Sequence, residues 1–206
     1  MHSAFLHTTG ESHPIALHPP RQPIFSSSGL VIRCVGNLHE QRETNRLVRR
    51  MYAWRGYRPS NQAPEDLACK RVTLAAWQDH ELAATLTLNL DDQTGLLSET
   101  LYPEEISALR LNQGRLCEYS RLAIDPAFSS PALLESFFRS AYNFARSQLA
   151  CSDAVVEVNP RHARYYEREL GFTRLGPRKV CPRVDAPAML LHRDLRHPLA
   201  DEVEVA

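Results

Sequence analysis

Apolar positions along this chain alternate between a period of two and a period near 3.6, and the switches mark out its elements. Residues 30–35 (Leu-Val-Ile-Arg-Cys-Val) read as a strand. Asn37 then offers an N-cap, and 38–52 reads as a helix with Leu47 and Met51 on one face. A loop carrying Pro59 and Pro64 covers 56–66. Residues 71–77 and 82–90 form two strands joined by the polar turn Gln78-Asp79-His80, a hairpin signal. Within the second, Thr85-Leu86-Thr87-Leu88 alternates cleanly. A short helix is expected at 103–111 and a central strand at 115–124, which Asp125-Pro126 ends. The longest helix is predicted over 131–149, where Leu134, Phe137, Phe138, Ala141 and Phe144 share a face. Residues 154–158 read as a buried strand, and Pro160 opens a helix that Gly171 stops. Strands near 172–175 and 188–193 close the chain. The two strand–helix–strand passages of the second half predict an α/β domain, a mixed sheet with helices packed on it.

The ends lack periodicity. Residues 1–28 are rich in His, Pro and Ser and read as a disordered N-terminal arm; the folded domain spans 29–197, and 198–206 form an acidic C-terminal tail. No apolar run approaches the ~20 residues that span a bilayer, and the N-terminus shows no secretory pattern.

Charge and cysteine content narrow the function. Lys plus Arg equals Asp plus Glu at 24 each, which argues against bulk nucleic-acid binding. Lys70 and Lys179 are the sole lysines, so arginine supplies the positive charge, suited to gripping carboxylates and phosphates. The five cysteines (Cys34, Cys69, Cys117, Cys151, Cys181) form no CxxC or Cys/His zinc spacing. They predict reduced thiols in the cytoplasm and no catalytic metal. No GxSxG elbow exists, so a covalent serine mechanism is not indicated.

Three constellations could carry chemistry. The first is Glu118-Tyr119-Ser120-Arg121 on the central strand. In a regular strand Glu118 and Ser120 face one side, Tyr119 and Arg121 the other; a bulge would change that. Such charges read either as an internal ion pair or as a carboxylate that orients or deprotonates a substrate amine. The second is Trp54-Arg55-Gly56-Tyr57-Arg58, where arginines among aromatics suit an anionic group, or simply form a solvated basic loop. The third is Asn159-Pro160-Arg161-His162-Ala163-Arg164-Tyr165-Tyr166, a strand end passing at once into a helix. A tyrosine there can act as general acid to a leaving thiolate, or can simply pack.

Residues 157–172 resemble the late strand–helix unit of the GNAT acyltransferase superfamily. Together with 84–102 (ATLTLNLDDQTGLLSETLY) and 117–126 (CEYSRLAIDP), and with CPRVDAPAMLLHRDL at 181–195, they resemble the bacterial N-acyl amino acid synthases. That family shares the fold of the acyl-homoserine-lactone synthases. The resemblance implies a mixed, mostly antiparallel GNAT-like sheet with helices on both faces. It implies transfer of a fatty acyl chain from acyl-acyl carrier protein to an amino acid's α-amine. Glu118 and Arg121 match the ExxR pair of the lactone synthases, whose paired aspartates have at best a partial substitute in Glu65-Asp66. The implied catalytic residues are Glu118, Arg121 and Tyr166. Trp54, Arg55, Thr87, Ser120, Asn159 and His162 are expected to bind substrate, with Arg55 or Arg121 on the carboxylate.

Acetyl-CoA enzymes of this superfamily follow the central strand with a basic, glycine-bearing loop around the pyrophosphate. Here 125–132 (Asp-Pro-Ala-Phe-Ser-Ser-Pro-Ala) has neither glycine nor a basic residue. The expected donor is therefore the phosphopantetheine thioester of acyl carrier protein, with coenzyme A thioester as the alternative and no tightly bound cofactor. Arg46, Arg49 and Arg50 share a helix face that could dock an acidic carrier protein or be merely solvated. Peripheral membrane contact through the lipid product is also expected. A conventional N-acetyltransferase and a non-catalytic acyl-binding module are the competing readings.

Overall fold

A computed structural model of the chain describes residues 22–57, 70–112 and 114–198. Among these residues, nine strands form one sheet in the order β1-β2-β3-β4-β5-β6-β9-β7, with β8 paired to β9. The strands are β1 Phe25–Ser27, β2 Leu30–Cys34, β3 Arg71–Gln78, β4 Glu81–Leu90, β5 Leu116–Ile124, β6 Asp153–Val158, β7 Thr173–Arg174, β8 Lys179–Cys181 and β9 Ala186–Asp194. Every pairing is antiparallel except β5 with β6. The helices are α1 Leu38–Trp54, α2 Pro103–Leu111, α3 Pro131–Asn143 and α4 Pro160–Glu169. This is the mixed, mostly antiparallel sheet that the sequence predicts.

Side-chain period decides which helix covers which face. On one face of β5 and β6, Cys117, Tyr119, Ala154, Val156 and Val158 pack with Phe137 and Phe138 of α3 and Tyr166 of α4. On the other, Leu116 and Val155 pack with Tyr102 and with Ile106 of α2. Leu47, Val48 and Met51 of α1 meet Ala123 on that second face. Asn37 caps α1 as expected, accepting from Glu40 N at 3.0 Å, while Glu40 accepts from Gly36 N at 2.9 Å.

Three local features depart from the pattern. Part of the expected arm is strand: Phe25–Ser27 pairs with β2. Residues 1–21, 58–69 and 199–206 lie outside the described residues. The predicted helix over 131–149 is α only to Asn143, and Phe144–Gln148 continues as one π turn. The wider turn keeps both Phe144 and Leu149 buried. Between β4 and α2, Leu97–Thr100 makes a 3-10 turn that no periodicity signals. Among the described residues, no helix is long and apolar enough to cross a membrane.

Candidate active site

The site is built where β5 loses its regularity. From Leu116 to Tyr119, β5 pairs in parallel with β6, and the register ends at Tyr119↔Val156. Beyond it the strands part, although β5 runs on to Ile124 and β6 to Val158. Against β4 the register shifts between Thr85 and Thr87. Arg121 lies in this bulge, in the left-handed region at φ +54°. A non-glycine residue there costs roughly 1–2 kcal/mol, and such strain clusters at functional sites.

The bulge overturns the regular-strand alternation. Ser120 pairs with Thr87, and Asn89 Nδ2 donates to its hydroxyl at 2.8 Å. Arg121, instead of facing away from Glu118 and Ser120, turns under α1 and donates to Asn45 Oδ1 at 2.5 Å. The internal Glu118–Arg121 ion pair is not what Glu118 makes. Its carboxylate is 1% exposed and accepts from Leu97 N at 2.7 Å and Ser98 N at 2.9 Å. It therefore holds the start of the 3-10 turn. Burial pushes its acid up to about 7, against the opposing pull of those N–H groups and the Arg183 charge.

A cleft of about 550 Å³ opens between the parted strands. Its apolar wall includes Leu122, Ile124, Leu134, Phe138, Val156 and Val158. Its polar lining includes Tyr52, Arg55, Ser120, Arg121, Glu157 and Asn159. Trp54, His162 and Tyr166 also line it. The structure thus brings together Trp54, Arg55, Ser120, Arg121, Asn159, His162 and Tyr166 from three separate sequence stretches. Glu118 and Thr87 are not among the lining residues.

Each of these side chains has a local job as well. Trp54 is 70% exposed at the end of α1, with the Arg55 guanidinium 5.8 Å from its ring centroid. Asn159 Oδ1 accepts from Arg161 N at 3.2 Å and so caps α4, with Pro160 in its first turn. Tyr166 stacks near-perpendicularly on Phe138 and Phe172, both at 5.7 Å between centroids. Burial raises its phenol above the ordinary range. Burial, then the neighbouring Arg161 and Arg55 charges, lower the His162 imidazole.

Glu157 is the site residue that the motif reading misses. It is among the residues lining the cleft, and Arg183 Nη2 donates to its Oε2 at 2.7 Å. Arg183 Nη1 also donates to Leu97 O. The Leu97 peptide thus links Glu118, through its N–H, to Arg183, through its carbonyl, and onward to Glu157. The signal was present: Glu157 is the lone charge in the apolar run Ala154 to Val158.

The loop after β5 lacks the features of a pyrophosphate cradle. Asp125 is held by Arg50 Nη2 and accepts from Ala127 N at 3.1 Å. At the start of α3, Pro131 has no N–H, and the Ser130 hydroxyl takes the Leu133 N–H at 3.1 Å. Arg50, placed with Arg46 and Arg49 on one α1 face, is exposed but paired.

Comparison with known proteins now fixes the family. The sequence profile of the family described as N-acyl amino acid synthase FeeM matches residues 43–194. The chain belongs to that family. It is an N-acyltransferase. No curated protein sequence matches it. Among solved structures, FeeM itself, an N-acyl amino acid synthase from uncultured soil microbes, has a TM-score of 0.75 at 24% identity, covering 83% of this chain and 94% of FeeM. An acyl-CoA N-acyltransferase from Pseudomonas aeruginosa matches with TM-score 0.59 at 18% identity, over 80% of this chain and 99% of that one. The CoA-dependent acyl-homoserine lactone synthase BjaI, solved with SAM and isopentyl-CoA, matches with TM-score 0.59 at 16% identity, over 82% and 85%. These likenesses share the GNAT-like fold.

Proposed function

We propose that this FeeM-family enzyme transfers a fatty acyl chain from acyl-acyl carrier protein to the α-amine of a free amino acid. The observation that carries the reading is the cleft at the parting of β5 and β6, lined by both apolar and polar side chains. A phosphopantetheine arm entering there lies between two strand edges whose peptide groups can pair with its amides. The acyl tail lies along Leu122, Ile124, Leu134 and Phe138.

The amine nitrogen attacks the thioester carbon, the carbon–sulfur bond breaks, and the amine proton leaves. Glu157, an acidic residue among those lining the cleft, accepts that proton, directly or through water. The β5 and β6 edges stabilise the tetrahedral oxyanion. Tyr166, a phenol protonated at neutral pH and among the residues lining the cleft, donates to the departing thiolate. Glu118 acts at one remove, through the Leu97 peptide and Arg183, as a positioning residue. A carrier-protein donor is favoured by the Asp125–Arg50 pair and the plugged α3 start, which leave little to bind the pyrophosphate of coenzyme A. The exposed Arg46, Arg49 and Trp54 lie along α1 toward the cleft mouth and suit an acidic carrier surface.

The test is mass spectrometry of reactions containing purified enzyme, a mixture of free amino acids, and either palmitoyl-acyl carrier protein or acyl-CoA. A new N-acyl amino acid from the carrier-protein arm supports the reading. Efficient use of acetyl-CoA with neglect of the carrier protein replaces it with a conventional N-acetyltransferase.

A further inference from the structure

Among the described residues, two arginines line the cleft, and they differ in what they already hold. Arg121 turns under α1, where it donates to Asn45 Oδ1 at 2.5 Å. It also lines a second cavity there, about 190 Å³ in volume, together with Thr44, Arg71, Thr73, Thr85 and Thr87. Arg55 is different. Among the described residues its guanidinium makes no hydrogen bond and no ion pair; the Trp54 ring lies 5.8 Å from it.

The end of α1 places Arg55. It is the C-cap residue, its backbone N–H bonded to Met51 O at 3.2 Å, and Gly56 at φ +73° turns the chain away after it. The residue is half-buried. Burial pushes the Tyr52 phenol up to about 12 and raises that of Tyr166, and the Arg55 charge opposes both. After burial and Arg161, the same charge also lowers the His162 imidazole. One cation thus acts on cleft-lining residues of both α1 and α4.

The plain alternative is a surface cation that complements the carbonyl end of α1 and rests on Trp54. Such a cation gains by staying in water, and desolvating it without a partner costs free energy. Nor does the cleft supply the partner. Glu157, the carboxylic acid among its described lining residues, already accepts from Arg183 Nη2 at 2.7 Å. A half-buried arginine beside a substrate cleft, with no carboxylate of its own, is matched by one that arrives with the substrate. Its planar fork can bind both carboxylate oxygens at once.

We infer that Arg55 binds the α-carboxylate of the acceptor and so restricts the acceptor to free amino acids. The amine and the carboxylate of an amino acid share one carbon, so anchoring the carboxylate at Arg55 fixes where the amine can meet the thioester. Simple amines and amino-acid amides leave the guanidinium unpaired and are disfavoured. The inference rests on the amino-acid acceptor proposed above and adds the group that selects it.

The test pairs turnover with binding. Leucine, phenylalanine and glycine are compared with leucinamide, phenylalaninamide and glycinamide, which keep the amine and the shape but lose the negative charge. For the wild type, Arg55→Met and Arg55→Lys, kcat/KM for each acceptor is measured with palmitoyl-acyl carrier protein. Binding of the same acceptors is measured separately by calorimetry without donor. A hydrogen bond to a charged group is worth roughly 10- to 150-fold, so Arg55→Met is expected to lower kcat/KM for the amino acids about 30-fold more than for the amides. Arg55→Lys keeps the charge without the fork and is expected to recover part of the loss. Equal losses for acids and amides, or no loss, overturn the assignment. So does a preference for acids that survives Arg55→Met and disappears in Arg121→Met. Should the wild type bind an amino acid in an Arg55-dependent way yet make no N-acyl product, the carboxylate site stands and the proposed function falls. Turnover of amino acids that Arg55→Met leaves intact does the reverse. Absence of both binding and turnover removes both.

Discussion

The two halves of β5 differ in kind. Leu116 to Tyr119 pairs regularly with β4 and β6, and its carboxylate, Glu118, is locked onto two backbone N–H groups. Ser120 to Ile124 is bulged on one edge and unzipped on the other, and it borders both cavities. Regular pairing satisfies every backbone group and leaves no room for a substrate. The site appears where pairing stops. The charge in the regular half, Glu118, is held by backbone, and the charge in the irregular half, Arg121, lines both cavities.

That contrast is tested most severely by two carboxylates. Glu157→Gln is expected to lower kcat with palmitoyl-acyl carrier protein and an accepted amino acid by about 100- to 1,000-fold, within the range for loss of a general base. Glu118→Gln is expected to cost less, because Glu118 reaches the cleft only through Leu97 and Arg183. Single-turnover rates of both variants settle the order. If Glu118→Gln were the more damaging, the proton would travel through Glu118 and the supporting role given to the regular half of β5 would fail.

Glu118 also makes a prediction about pH. Its folded-state acid is pushed up to about 7 by burial, against about 4.3 in the unfolded chain. Between those values the folded protein holds the proton more tightly. The stability this contributes is full below about pH 4.3, declines as pH rises, and is gone above about 7. At about 1.4 kcal/mol per unit of pKa difference, the expected decline is a few kcal/mol. Urea unfolding from pH 4.5 to 8 should show that decline in the wild type and a flatter profile in Glu118→Gln. Parallel profiles would mean that the two N–H donors already hold Glu118 ionised.

How much of this was legible in the sequence follows from what periodicity records. Strands and helices with one buried face left clear signals: α2 lies at Pro103–Leu111, as the pattern predicts, and β5 and β6 shift by one residue at their starts. The aromatic and polar residues at the α1 exit and around the start of α4 were singled out by type, and both groups meet in the cleft. What was hidden depends on register. Nothing in Glu118-Tyr119-Ser120-Arg121 announces a bulge, so the direction of Arg121 was unreadable. The 3-10 turn at Leu97 has too few residues for a period, and it is the group that claims Glu118. Glu157 was passed over because one charge in an apolar run carries no motif. Arg71 was read only as the first residue of a strand, since its cavity is assembled from three strands and a helix.

The smallest expected effect concerns the bulge itself. If the left-handed conformation at Arg121 belongs to the strand pairing, then replacing the side chain should leave it in place. Glycine tolerates φ near +54° and alanine does not, so Arg121→Gly should be more stable than Arg121→Ala. The expected gap is about 1 kcal/mol, the usual penalty for a Cβ in that region. Both variants lose the bond to Asn45 and the guanidinium, so those losses cancel in the comparison. Urea midpoints measured side by side give the difference. At an ordinary strand position the order reverses, because glycine loses more chain entropy on folding than alanine. An alanine variant more stable than the glycine variant would mean that the arginine side chain, held by α1, imposes the bulge. The irregular half of β5 would then be made by its cavity-lining arginine, and not by the register shift against β4.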